Sequence, residues 1–336
     1  MERVTIKKIA ELAGVSVPAV SYVLNNKKGV SEQTRQRVLD IIEELNYTPN
    51  VNSRRLILQR SFNILVCLDD PISTLDNLFY TEILSAIVAK GAELGYSIVL
   101  SNGGSDDQRE HFLQNISQHN ADGVIFLRDI SEELQKSMES YGMPYLVVDS
   151  HNTVASYPCI ASDVEQASYD AIRYLIDHGH QKIAFIGMER VPAFYLNTFA
   201  GYKRALADHG LSVQLDWIQS NAYDEASALK CMQRILESSI RPTAVFCASD
   251  ILAIGAMNAV QKAGYRIPED VSFIGMDDII LSRYCKPALT TMHIDKQKMG
   301  TLAVEVLDNI LNGNDVETSY RIPFDRLIER ETVCNT

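Results

Sequence analysis

The stretch from Thr5 to Asn25, reading T-I-K-K-I-A-E-L-A-G-V-S-V-P-A-V-S-Y-V-L-N, constrains the fold of this chain more than any other. Ile6, Ile9, Ala10 and Ala13 recur at i, i+3, i+4 and i+7, so one face of a short helix is apolar. Thr5 is placed to accept its first free N–H groups, and Gly14 ends it. Ser16 is a second N-cap, after which Val20, Val23 and Leu24 repeat the apolar spacing. Two short helices across a glycine turn form a helix-turn-helix pattern.

The face left over is the informative one. Val17, Pro18, Ser21, Tyr22 and Asn25 point away from the apolar stripe, and in this motif the first turn of the second helix enters the major groove of DNA. Pro18 sits in that turn, where a missing N–H is tolerated. An ordinary helical hairpin would give the same spacing, so the residues that follow decide. A third helix is predicted from its cap Ser31 to about Asn46, with Val38, Ile41, Ile42 and Leu45 as its apolar stripe. Pro49 then breaks the chain and Asn50 begins a short segment ending near Leu58.

Residues 3 to 60 resemble the DNA-binding headpiece of the lac repressor and purine repressor family. The resemblance is carried by V-T-I-x-x-I-A-x-x-A-G-V-S, V-S-x-V-L-N, V-S-x-x-T-R-x-R-V and L-N-Y-x-P-N, in that order. Charge agrees. The first 60 residues hold ten Lys and Arg against six acids, while the remainder carries 21 against 37. The net −12 of the whole chain therefore hides a basic head on an acidic body.

Residues 50 to 58 are too few for a helix stable on its own in water. The resemblance implies that this hinge orders on DNA, pairs with its copy in a dimer, and wedges Leu56 into the minor groove, with Arg54 and Arg55 against phosphates. A linker leucine packed on the body is the plainer reading of Leu56.

Length favours a small head and a two-lobed body. No apolar run reaches membrane length and the amino terminus leads straight into a helix, so a cytoplasmic protein with no membrane partner is expected. The six cysteines lack metal or redox spacing; Cys67 and Cys247 read as buried hydrophobes.

From Phe62 on, apolar runs alternate with amphipathic stretches such as Phe79 to Leu94. The predicted strands are Asn63 to Leu68, Ser97 to Leu100, Gly123 to Leu127, Tyr145 to Val148, Lys182 to Ile186, Ala244 to Cys247 and Val271 to Ile274. Such alternation means parallel sheets with helical crossovers. Interruptions near residues 150–163 and 289–294 divide the series into two lobes.

The expected organisation is an all-α headpiece (1–49), a hinge (50–60) and an α/β core (61–336). Within the core, lobe 1 takes about 61–161 and 293–322, and lobe 2 about 162–292 and 323–336. This arrangement is similar to the periplasmic sugar-binding fold that serves the family as its effector core. A-G-Y-K-R-A-L at 200, P-T-A-V-F-C-A-S-D at 242, I-P-E-D-V-S-F-I-G-M-D-D at 267, P-A-L-T-T at 287 and E-R-E-T near 331 carry that likeness. No leucine-heptad tail like the tetramer-forming helix of some relatives follows Glu331, so the resemblance implies a homodimer reading a pseudo-palindromic double-stranded operator rather than a tetramer.

A ligand site belongs at the carboxyl ends of the strands, between the lobes. Asp149 follows the fourth strand, and Phe194 lies in the loop after Ile186. By resemblance, Phe79, Tyr80 and Tyr223 stack on an effector ring, and Ser249 and Asp277 hydrogen-bond a sugar or base; simple core packing is the alternative for Phe79, Tyr80 and Phe194. Thr198 stands where relatives commonly carry an arginine that grips the effector, and a hydroxyl cannot clamp an anion bidentately. An uncharged effector, use of Arg190 instead, or no effector at all would each accommodate that change.

His178-Gly-His180 has the look of a metal pair but falls at a helix-to-strand turn, and no cofactor is expected. Asp277 and Asp278, adjacent on an extended segment, face opposite ways and cannot share a substrate. No nucleophile elbow, zinc motif or phosphate loop is present. The leading expectation is a sequence-specific transcription regulator, a repressor, controlled by a small-molecule effector. Control by a protein coregulator is the alternative; a transport receptor and an enzyme fit less well.

Overall fold

The computed structural model describes residues 5–24, 29–45, 60–68, 75–102, 106–118, 120–152 and 156–336. The chain divides into two compact units, Met1–Ser61 and Phe62–Thr336.

In the first unit, α1 (Ile6–Ala13), α2 (Val17–Leu24) and α3 (Glu32–Glu44) enclose a miniature core. Ile9, Ala10, Ala13, Val20, Val23 and Val38 are buried there, with Ile6, Leu24, Ile41, Ile42 and Leu45 packed at its edge. Gly14 has φ +61°, the left-handed conformation that glycine adopts without penalty. Its N–H and that of Val15 return to carbonyls of α1, which closes the helix.

The second unit holds two six-stranded sheets. The first contains β1 (Asn63–Leu68), β2 (Ser97–Asn102), β3 (Gly123–Leu127), β4 (Tyr145–Ser150), β5 (Cys159–Ser162) and β11 (Ser319–Ile322), in the order β11-β5-β4-β3-β1-β2, all parallel. The second contains β6 (Ile183–Ile186), β7 (Ile218–Gln219), β8 (Ala244–Cys247), β9 (Ser272–Asp277), β10 (Thr290–Ile294) and β12 (Phe324–Ile328), in the order β12-β10-β9-β8-β6-β7. The expected parallel pairing holds except at β12, which runs antiparallel to β10.

Helices cover both faces of each sheet, as parallel strands buried on both sides require. On the first sheet, α4 (Leu78–Leu94) and α11 (Lys296–Leu311) pack together on one face, with α5 (Asp106–Ser117) and α6 (Glu132–Ser140) on the other. On the second, α7 (Val164–Asp177) pairs with α8 (Pro192–Asp208), and α9 (Glu225–Leu236) with α10 (Asp250–Lys262). Gly255 lets α10 approach α9 closely: a Cβ there would stand 2.2 Å from the Glu225 carbonyl oxygen.

The chain passes between the lobes three times: from β5 into α7, from β10 into α11, and from β11 into β12. The second passage carries Lys296, 3% exposed, whose ammonium donates to the carbonyl oxygens of Asp277 and Asp278 and lies 3.6 Å from Glu82. No disulfide joins the six cysteines, all of which lie among the described residues. Among the described residues no helix is long and apolar enough to cross a membrane.

Candidate functional sites

In the head, Thr5 and Ser16 act as the two caps: Thr5 Oγ1 accepts from Lys8 N at 3.3 Å and Ser16 Oγ from Ala19 N at 3.4 Å. With α2 pinned at its start and Val20 and Val23 turned into the core, Val17, Pro18 and Tyr22 are left exposed and Ser21 half-buried. This is the outward face that the spacing predicted. Asn25, Asn50, Arg54, Arg55 and Leu56 lie outside the described residues.

The second site is a cleft of about 560 Å³ between the lobes. Its first wall is built at the carboxyl ends of β1, β3 and β4. Asn77 caps α4 through Phe79 N at 3.0 Å, which fixes Phe79 and Tyr80 at the cleft. Tyr80 donates its hydroxyl to Asp149 Oδ2 at 2.7 Å, and Asp149 Oδ1 lies 3.2 Å from His151 Nε2. Asp129, just past β3, anchors the turn after β4 by accepting from Ser150 Oγ at 2.6 Å and His151 N at 2.9 Å. Arg128 completes this side.

The opposite wall comes from the second lobe. Phe194 projects from α8, Tyr223 precedes α9, Ser249 stands at the N-cap of α10 and Asp277 ends β9. Asp224, with Ser227, forms a reciprocal capping box that stiffens the start of α9 beside Tyr223. Arg190 lies over the Tyr223 ring, 3.8 Å from its centroid, but is not part of the cleft wall. Ser162, Val164 and Phe324 reach the cleft where the chain changes lobe, and Ile279 reaches it from the turn after β9.

Of the five non-glycine residues with positive φ among those described, Arg128, Asp149 and Asp277 line the cleft and Asp278 adjoins it in sequence. Each such residue costs on the order of 1–3 kcal/mol, so the strand ends are held in place by their surroundings.

Electrostatics sorts the carboxylates. Burial, and then the charge of Asp250, push the Asp277 carboxyl well above its usual range, with Lys296 acting in the opposite sense. Asp277 therefore favours its neutral form, a hydrogen-bond donor. Behind it, burial raises Asp250 to about 6 despite hydrogen bonds from Ser282 and Thr291 and from the Ile279 amide. Asp278 is held below its usual value by hydrogen bonds from Arg330 and His293, which outweigh its burial. As expected, then, Asp277 and Asp278 serve different environments. Burial and the nearby Asp149 charge push the Tyr80 phenol well up, so it remains a donor.

Seven of the eight expected effector residues, Phe79, Tyr80, Asp149, Phe194, Tyr223, Ser249 and Asp277, line this one cleft. Thr198 is the correction. It is wholly buried in α8 and donates to the Phe194 and Tyr195 carbonyls at 2.9 and 3.1 Å, so it faces its own helix rather than a ligand. The sequence reading did not select Arg128, His151, Asp224 or Phe324. The two histidines of the 178–180 turn have separate partners: His178 meets the Tyr174 carbonyl, and His180 meets Thr243 and the Cys334 carbonyl.

Residues 5–50 match the family model of bacterial regulatory proteins, lacI family, and residues 172–333 match that of a periplasmic binding protein-like domain. The HTH-type transcriptional repressor PurR of Vibrio cholerae is 33% identical over 334 residues, 98% of each chain. Catabolite control protein A of Priestia megaterium is 33% identical over 329 residues, covering 96% of this chain and 98% of that one. Among solved structures, the lac repressor dimer bound to operator and the anti-inducer ONPF superposes with a TM-score of 0.85 at 27% identity, covering 99% of this chain and all of that one. A transcriptional regulator CelR–cellobiose complex does so with a TM-score of 0.74 at 26% identity, covering 98% and 100%.

Proposed function

Because the chain belongs to the lacI family of bacterial regulatory proteins, we propose that its operator binding is set by an uncharged, hydroxyl-rich small molecule held between its lobes. It is a DNA-binding transcriptional repressor rather than an enzyme, as its relatives are. Like the lac repressor, it acts on operator DNA as a dimer, whose two heads read a two-fold related site. Action on operator DNA fits a protein that works in the cytoplasm, with the chromosome.

One observation carries the choice of ligand. Among the described residues the cleft carries the carboxylates Asp76, Asp149, Asp224 and Glu225, with Asp277 shifted toward its neutral form, against a single cation, Arg128, while Phe79, Tyr80, Phe194, Tyr223 and Phe324 supply aromatic surface. An anionic effector would meet repulsion there. A neutral polyol offers hydroxyls to the carboxyl groups and C–H faces to the rings. A cleft of this kind favours a small molecule over control by a protein coregulator.

Residues 1–49 act as the head, 50–60 as the hinge with Leu56 as its wedge, and the remainder as the two-lobed sensor. The ligand biases the angle between the lobes and so the spacing of the paired heads. A thermal-shift screen of the full chain against neutral sugars, sugar phosphates and nucleotides tests the ligand class. At a hundred times its dissociation constant a ligand adds about 2.7 kcal/mol of stability. Neutral sugars should raise the melting temperature, and a response confined to the anions overturns this reading.

A further inference from the structure

We propose that His151 is a specificity-determining residue of the cleft, which reads one hydroxyl group of the effector through the bare lone pair of its Nδ1; this rests on the cleft being the effector site.

His151 is 7% exposed and follows β4 on the first lobe. Its amide is tied to Asp129 Oδ2 at 2.9 Å, which leaves the backbone little freedom. Its Nε2 lies 3.2 Å from Asp149 Oδ1, and the other oxygen of that carboxylate already accepts from Tyr80. A carboxylate accepts only, so in the neutral ring the proton sits on Nε2. Asp149 is thereby a positioning residue: it fixes the ring and its tautomer together.

The consequence falls on the other nitrogen. With the proton on Nε2, Nδ1 is an acceptor, and it is buried with no hydrogen-bond partner among the described residues. Buried polar atoms in native proteins are nearly always paired, so an acceptor left over on a cleft wall is placed to be paired by what enters the cleft. Ser249 Oγ, on the facing lobe and also lining the cleft, is unpaired in the same way. The Phe194 ring of the second lobe lies 5.0 Å from the imidazole, centroid to centroid, and covers it. A ligand entering between the lobes meets a ring held on both flanks, with one acceptor to satisfy.

The acceptor has a preference. A hydroxyl or amine can donate to Nδ1, whereas a carbonyl, ether or phosphate oxygen would set lone pair against lone pair. Of two ligands of similar shape, the cleft therefore selects the one with a hydroxyl at the position facing His151. An analogue with hydrogen there leaves the nitrogen buried and unpaired.

The test is a ligand-by-residue double-mutant cycle on the full chain. Glucose, galactose, ribose, maltose, cellobiose, trehalose and myo-inositol are titrated by calorimetry, followed by the monodeoxy analogues of whichever binds. The same set is repeated on His151→Phe, which keeps a ring against Phe194. The expected result is one deoxy position that weakens binding to the wild type about tenfold or more, about 1.4 kcal/mol. That same position should make no difference to His151→Phe. Equal losses in both proteins at every position overturn the assignment of His151 while leaving the cleft as the site. No binding by any member of the panel overturns the ligand class, and the assignment with it.

If His151→Phe does not fold, nitrogen-15 spectra of wild-type histidines provide the second readout. The His151 Nδ1 resonance should have the value of an unprotonated acceptor in the free protein and move upfield when the bound sugar donates to it. A resonance indifferent to the sugar overturns the proposal.

Discussion

The Lys296 ammonium donates to the Asp278 carbonyl oxygen at 3.2 Å, and through that bond the helix that closes one lobe grips the strand end that forms the cleft wall of the other. It also reaches the Asp277 carbonyl and lies near the Glu82 carboxylate, so a buried cation joins α4, β9 and α11. Lys296→Met fits the space but strands two carbonyls and a carboxylate. We expect a loss of about 3 kcal/mol in the denaturant unfolding of the core, with operator binding by the remaining folded protein less responsive to ligand. An unchanged midpoint would mean that the crossing is held by packing alone.

Asp250 makes stability depend on pH in a direction opposite to that of a salt-bridged carboxylate. Its folded value of about 6 exceeds the 3.8 of the free side chain, so between these values the folded state holds a proton that the unfolded state has lost. The contribution of this group to stability is therefore greatest below about pH 4 and falls as pH rises through 6, by up to about 3 kcal/mol. Asp250→Asn stays neutral throughout and should lack that slope. His180, whose value burial lowers, contributes the opposite slope near neutrality in both proteins, so subtracting the two profiles removes it and leaves Asp250 together with the part of the Asp277 shift that the Asp250 charge causes. Parallel profiles would refute the assignment.

Gly255→Ala would place a methyl carbon 2.2 Å from the backbone oxygen of Glu225, where no side chain can yield. The α9–α10 pair must separate, at a cost of several kcal/mol, on the order of 2–4. Because Tyr223, Asp224 and Ser249 stand at the starts of these two helices, ligand binding should weaken in the folded fraction as well. Calorimetric unfolding with and without ligand measures both effects.

Val17 and Pro18, exposed at the start of α2, offer carbon rather than hydrogen-bonding groups, and thymine is the base that offers a methyl group in the major groove. Replacing thymine by uracil at the operator positions under the start of α2 should cost about 1 kcal/mol per site, read by competition binding. No loss at any position would remove these residues from base reading.

The head was readable because its helices are short, capped and strongly patterned. Thr5, Gly14, Ser16 and Ser31 punctuate it in sequence just as they do in space. Strands β1, β3 and β8 match their predicted bounds, since each is buried along nearly its whole length and so written as an unbroken apolar run. β12 escaped notice because Asp325 and Arg326 are exposed, and an edge strand packed on one side needs no such run. The cleft aromatics followed from resemblance, whereas Thr198 shows its limit: the position is retained but the side chain has turned into its own helix. His151 stands in the segment after the fourth strand but is not singled out by the sequence, because its meaning depends on a proton fixed by Asp149 and on the Phe194 ring of the other lobe, and no spacing along the chain encodes either.

The central claim is that one ligand in the cleft governs one operator under the heads. Its most direct test is fluorescence-anisotropy titration of the full chain onto an operator duplex selected from a random-sequence pool. The titration is made with and without a saturating neutral sugar from the calorimetric panel, for wild type and for Tyr223→Ala. The account predicts that the sugar shifts wild-type operator affinity by roughly 5–150-fold, and that Tyr223→Ala binds the duplex as tightly as wild type but ignores the sugar. Operator affinity that stays the same while the sugar occupies the cleft would contradict it.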